Sequence, residues 1–286
     1  MNSFLVCRHG GIIEPIDSGQ DLTYEEEPVM EKLEIEEVLS TNPEDINTLE
    51  DIDKFLNDFE GAFINDNKEL FDAYKKILQK NDNNRDKARK EFREYMLNND
   101  IDIPNLYDYT IKICDIISKS IFIQDNKVHI AFLKDEFSID NLKGTLFETN
   151  IKHFAIIGYN FINLVNTNKP LDLKNRIDKE YNDSIWAMPF DFKGECVNPE
   201  IIKNGLRPDY IGNFMFGYVG DEIFGYDWFI KFGAGGAQIF SDISNYGFEK
   251  YFDKLKNNEY TFYFDNKGDS ETIQDGINAK TLHNKK

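Results

Sequence analysis

Apolar residues recur along much of this chain at helical spacing. Phe55, Phe59, Phe63 and Phe71 stand out of a polar background and predict an amphipathic helical stretch running to about Gln79. Asn42-Pro43-Glu44 places a proline where a first helical turn tolerates it. Asn81 to Asn84 reads as a break, and Asp86 to Leu97 as a second, charged helix. A third helix starts at Pro104 and gathers Ile111, Ile113, Cys114, Ile116, Ile117 and Ile121 into one apolar band. Ile151 to Val165 predicts a strongly apolar helix, which Gly158 weakens by about 1 kcal/mol. Strand patterns are few and short: Phe4-Leu5-Val6 and Ile12-Ile13 around a Gly10-Gly11 turn, Val128 to Leu133, and Tyr260 to Phe264. The expected fold class is mainly α (α+β), a helical bundle-like arrangement with a few short strands.

Composition adds domain limits. The chain of 286 residues is long enough for one large domain or two ordinary ones, and 24 Phe and 14 Tyr supply its core. The net charge of −19 is uneven: residues 1–149 carry −16 and residues 150–286 carry −3. Phosphate backbones and anionic lipid repel the first half, so a target site is expected in the second. The division that follows is a tail segment 1–20, an acidic linker 21–43, a helical module 44–122 without evident chemistry, and a second domain 125–286. Three scattered cysteines (Cys7, Cys114, Cys196) predict free thiols rather than a disulfide framework. No apolar run is long enough to span a bilayer, so no membrane insertion is expected. No cleaved signal pattern opens the chain, so export is expected to use another route.

Four segments of the second half combine glycine, aromatic and charged residues. The first is Asn168-Lys169-Pro170-Leu171-Asp172-Leu173-Lys174. In extended chain it would turn Asp172 and Lys174 to the same side. The second runs from Asp209 through Gly212, Asn213, Phe214, Phe216, Gly217 and Tyr218 to Gly220. Its spacing fits neither a P-loop nor a dinucleotide fingerprint, and tight helix packing is as good a reading of its glycines as a functional one. The third continues through Gly225 to Gly233-Ala234-Gly235-Gly236-Ala237-Gln238. The fourth, Phe264 to Ile277, carries Asp265 and Asp269, with Asp269-Ser270 placed to cap a following helix. It does not fit a calcium-loop register.

Two resemblances follow from these residues. Ser3, Phe4, Cys7, Gly10, Gly11, Ile13, Gly19 and Gln20 resemble the closing segment of PAAR-like spike-tip proteins, with an ordinary N-terminal hairpin as the alternative. The four segments, over roughly residues 155–280, resemble the type 44 polymorphic toxin domain. That family shows a Pro-aromatic-Asp-aromatic-Lys loop, here set on Pro170, Asp172 and Lys174. A Gly-Asn-aromatic-x-Tyr-Gly-x-x-Gly core follows, here Gly212, Asn213, Gly217 and Gly220, then an Ala-Gly-x-Ala-Gln end at Ala234, Gly235, Ala237 and Gln238. An Asp-rich turn closes it, at Asp265, Asp269, Ile273 and Gly276. Leu171 and Leu173 depart from the aromatics, and Phe216 stands where the family has Tyr, with Tyr218 the nearest hydroxyl.

The resemblances imply an antibacterial effector in interbacterial competition. It would be delivered by a contractile injection or secretion apparatus and would act in a target cell. Its partners would be that machinery and a cognate immunity protein. The family implies a nuclease, RNase-like in type. Metal-independent RNases use a histidine base, but the second half offers only His153 and His283, neither within a matched motif. Carboxylates, Lys174 and amides would then act, with a divalent metal left open as cofactor. Paired aspartates suit peptidoglycan hydrolysis equally well, and a non-enzymatic adaptor or structural protein is the third class. The site residues expected are Asp172, Lys174, Asn213, Asp265 and Asp269, with Gly212, Gly217, Tyr218, Gly220 and Gln238 shaping the backbone or binding substrate.

Overall fold

In the second half of the chain, irregular backbone lies between helices and is pinned to them by buried aromatics and arginines. A computed structural model describes residues 33–120, 161–198 except 162, 166 and 167, and 209–234 except 226, 228, 229 and 232. It also describes residues 253, 256 and 257, and 268–285. The chain divides into a unit of residues 1–32 and a unit of residues 33–286, and every described residue belongs to the second. The strands expected near the N-terminus, at 128–133 and at 260–264 lie outside the described residues. The molecule is mainly helical, as the sequence pattern requires.

A short helix α1 (Ile35–Val38) and the turn Pro43–Asp45 precede α2 (Leu49–Asp66). A capping box opens α2: the Thr48 side chain accepts from the Asp51 N–H, and the Asp51 carboxylate accepts from the Thr48 N–H. Its buried positions Ile52, Phe55, Leu56, Phe59, Ala62 and Phe63 follow the three- and four-residue spacing of one helix face. The stretch expected to run unbroken to Gln79 pauses at Asn67, where α3 (Lys68–Lys80) begins. Next come α4 (Arg85–Asn98), capped by Asn84, and α5 (Tyr107–Lys119). Among the described residues of the second half, two longer helices follow, α6 (Tyr210–Phe224) and α7 (Asp269–His283).

Residues 170–197 connect these helices with two short 3-10 turns, Leu173–Asn175 and Ile185–Ala187. Aromatic packing fixes this connector. Trp186 stacks on Phe59 at 5.5 Å between ring centroids, and Phe190 meets Phe63 and Phe71 edge-on at 5.6 and 5.8 Å. Phe192 meets Phe214 at 5.1 Å, and Phe214 also meets Tyr107 at 5.9 Å. The boundary expected at 125–150 lies outside the described residues, and the residues on either side of it share one core. Ion pairs tie the same parts together. Arg176 reaches Glu60 (2.6 Å) and Asp53 (2.5 Å), and Arg93 reaches Asp191 (2.9 Å). Backbone bonds Leu106 N–H to Asp191 O and Asp191 N–H to Pro104 O form the one parallel bridge among the described residues.

Helices α6 and α7 approach until backbone touches backbone. A Cβ placed on Gly217 would lie 2.1 Å from the Ile273 carbonyl oxygen, and one on Gly276 would lie 2.0 Å from that of Phe214. Both glycines belong to the matched pattern of the sequence, and helix crossing is the work they do here.

Candidate functional site

The loop at 170–175 does not place its two charges together. Asp172 precedes the 3-10 turn Leu173–Asn175 and is 9% exposed, whereas Lys174 is exposed. The turn replaces the extended chain that would have put both on one side. The Asp172 carboxylate accepts from the Asn168 N–H and from the Asn175 amide, each at 2.8 Å. It thereby holds the sharp reversal at Asn168 (φ 58°). Helical backbone is present up to residue 165, and the Leu171 N–H returns to the Leu164 carbonyl, so Pro170 sits in the turn that follows the helix.

Of the other expected residues, those at the start of α6 lie near this loop. A Cβ on Gly212 would lie 3.8 Å from the Leu171 carbonyl, so the start of α6 packs on the Asp172 loop. Asn213 is half-buried in the first turn of α6, where its N–H donates to the Asp209 carbonyl. Gly220 packs against Ile230 and Phe161. Asp269 opens α7, with Gly268 (φ 95°) rather than Asp269 at the cap position. Asp265 and Gln238 lie outside the described residues. Among the described residues no group of three or more His, Cys, Asp or Glu side chains could hold a metal ion, and no helix is long and apolar enough to cross a membrane. Cys114 and Cys196 carry thiols and are not in a disulfide, and burial pushes the Cys114 thiol well above its usual pKa.

The order Pro-aromatic-Asp-aromatic-Lys is met without substitution at Pro189-Phe190-Asp191-Phe192-Lys193, rather than at Pro170–Lys174 with leucines in the aromatic places. Asp191 is 7% exposed and is held by Arg93 and Lys193. Asn105 accepts from the Lys193 N–H (2.9 Å) and donates to the Lys193 carbonyl (3.0 Å). Nearby, the Tyr210 hydroxyl donates to Asp275 at 2.8 Å. Burial raises the Asp275 pKa, against hydrogen bonds from Tyr210 and the Asn198 backbone that lower it.

One polar grouping joins three helices. Asp115 on α5 interrupts the apolar band of Ile113, Cys114, Ile116 and Ile117. Its Oδ1 accepts from the Tyr218 hydroxyl at 2.8 Å and from Lys280 Nζ at 3.3 Å. Its Oδ2 lies 2.8 Å from Nε2 of His283. Lys280 is also 3.1 Å from Glu222 and sits over the Tyr218 ring at 5.0 Å. The Lys280 side chain is 3% exposed and that of His283 is 45% exposed. Burial first, and the bond to Asp115 second, push the Tyr218 hydroxyl far above its usual pKa. A buried ammonium needs paired carboxylates to be tolerated, and Asp115 and Glu222 supply them.

This grouping can carry acid–base chemistry. The imidazole of His283 is reachable from solvent and is braced by a carboxylate. Lys280 is committed to its two carboxylates and can only hold them in place. Phe216, where the type 44 pattern has Tyr, packs on Phe161 at 5.0 Å. Tyr218 lies about 200° farther round α6, and it is Tyr218 that brings a hydroxyl to the cluster. Sequence reasoning named Tyr218, considered His283 as a base and set it aside for lying outside the matched motifs, and missed Asp115, Glu222 and Lys280. The available signals were a lone carboxylate within an apolar band and the same-face spacings Tyr218–Glu222 and Lys280–His283.

Residues 160–281 match the family model described as Bacterial toxin 44. The match falls on the segment that the four motifs marked out and supports a toxin domain there, and it does not reach residues 1–20. No curated protein and no solved structure gives a significant match to the chain.

Proposed function

We propose that this chain is an antibacterial toxin effector whose second half hydrolyses nucleic acid, with His283 as the general base. One observation carries the chemical part of this reading: the His283 imidazole lies 2.8 Å from a half-buried carboxylate that two further donors hold in place. A histidine base is what metal-independent cleavage of RNA uses. The base takes the proton of the attacking hydroxyl as its oxygen bonds to phosphorus. The bond to the leaving oxygen then breaks, and that oxygen is protonated from solvent. Peptidoglycan hydrolysis by paired aspartates is the weaker reading, because the Asp172 carboxylate is engaged in holding its own turn. The toxin match also favours a cognate immunity protein as partner, and the spike-tip resemblance of residues 1–20 favours delivery by an injection apparatus.

Expression of the full chain in the cytoplasm or exported to the periplasm of a test bacterium checks the reading. Cytoplasmic killing that disappears with His283→Ala is the expected result. Killing confined to the periplasm, with soluble muropeptides released from sacculi, would replace it with the cell-wall reading. Absence of killing in both compartments would favour a non-enzymatic role.

A further inference from the structure

We infer that Asp115, on α5 and outside the matched segment 160–281, is the positioning residue that fixes which nitrogen of His283 acts as base. The inference deepens the nuclease reading and depends on it only where a rate is measured. An unprotonated imidazole nitrogen would repel a carboxylate at 2.8 Å, so Nε2 carries the proton and Nδ1 is left with the free lone pair. Asp115 can impose this because its other oxygen is not free to turn. Oδ1 accepts from Tyr218 on α6 and from Lys280 on α7, and Lys280 is itself held by Glu222. Three helices therefore aim one carboxylate oxygen at one ring nitrogen. Helix α5, which precedes the matched segment, is then part of the catalytic unit rather than of a carrier for it.

The asymmetry of donors around Asp115 makes Asp115→Asn informative. Tyr218 and Lys280 demand an acceptor at the Oδ1 position, so the asparagine carbonyl settles there. Its NH₂ group then faces Nε2, which must give up its proton to accept. The imidazole flips to the Nδ1-protonated tautomer, and the nitrogen meant to act as base is blocked. A comparable amide for carboxylate exchange beside a catalytic histidine lowers kcat by about 10⁴-fold with geometry retained.

The experiment uses the full chain with ¹⁵N-labelled histidine. His283 is assigned by comparison with His283→Ala, and its neutral tautomer is read from the ring nitrogen shifts. Expected are Nε2–H in the wild type and Nδ1–H in Asp115→Asn. On an RNA oligonucleotide the variant should lose on the order of 10³–10⁴-fold in kcat, with KM within about twofold. A wild type dominated by the Nδ1–H tautomer overturns the inference, and this outcome needs no variant that folds. So does an Asp115→Asn protein that keeps the wild-type tautomer and rate. A wild type inactive on every nucleic acid, with the tautomer switch present, removes the nuclease reading and leaves the positioning role standing.

Discussion

Arg89 on α4 grips Asp183 in the connector with two nitrogens, Nε at 2.9 Å and Nη2 at 2.5 Å from separate carboxylate oxygens. The Asp183 side chain has no exposed surface, and the Tyr74 hydroxyl also donates to it at 2.5 Å. This two-point contact binds the helices of the first half to irregular chain of the second. The internal backbone bonds of this chain close only short turns, so its placement depends on such anchors.

Replacing Arg89 by Met removes the guanidinium and leaves a buried carboxylate with too few donors. The expected loss is about 3–5 kcal/mol of unfolding free energy, measured by urea denaturation of the full chain. The double variant Arg89→Met with Asp183→Asn should recover part of that loss, because the unpaired charge is gone.

Two glycine substitutions should act in opposite directions. Gly217→Ala forces a methyl group into the Ile273 backbone across the α6–α7 crossing and should destabilise by about 1–3 kcal/mol or more. Gly61→Ala falls on an exposed position of α2 with no atom within 4 Å of the new Cβ, and should stabilise by about 0.5–1 kcal/mol. Thermal melts of the two variants beside the wild type separate crowding at a helix crossing from ordinary helix propensity.

The raised pKa of Asp275 gives a pH signature. A carboxyl whose folded pKa lies above its unfolded value binds protons more readily in the folded state. Its contribution is therefore most favourable below the unfolded pKa of about 3.9 and declines as pH rises through the folded value. Asp275→Asn keeps an acceptor for Tyr210 and removes the titration. The melting temperature of the variant relative to the wild type should rise from acid pH toward neutrality in a calorimetric series. A difference that stays flat or falls would contradict the assignment of burial as the dominant cause.

Helices α2 to α5 were legible in the sequence because each buries one face of a polar segment. Phe55, Phe59 and Phe63 mark that face in α2, and Ala88, Phe92 and Met96 in α4. The gap at Asn67 was not, because Phe63 and Phe71 keep a helical spacing across it. The connector 170–197 carries no period at all. Its placement rests on Trp186, Phe190 and Phe192 finding partners far away in sequence, which no local pattern encodes. The Pro–Asp–Lys element was set at 170–174 although 189–193 fits it residue for residue, a match that the sequence itself displays. Gly217 and Gly276 stand in segments that the sequence singles out, and the structure places them at a helix crossing that leaves no room for a side chain. The Asp115 cluster was illegible for a different reason. Its members come from three helices widely separated along the chain, and each taken alone reads as a solvated or capping charge.

Cleavage of nucleic acid by the full chain, wild type against His283→Ala, bears on all of this at once. The His283 side chain is largely outside the core, so the variant should melt within a few degrees of the wild type. The expected result is degradation of RNA by the wild type and a loss of about 10²–10⁴-fold in rate for the folded variant. A folded His283→Ala protein that degrades RNA at the wild-type rate would show that the α5–α6–α7 cluster is not where the chemistry occurs.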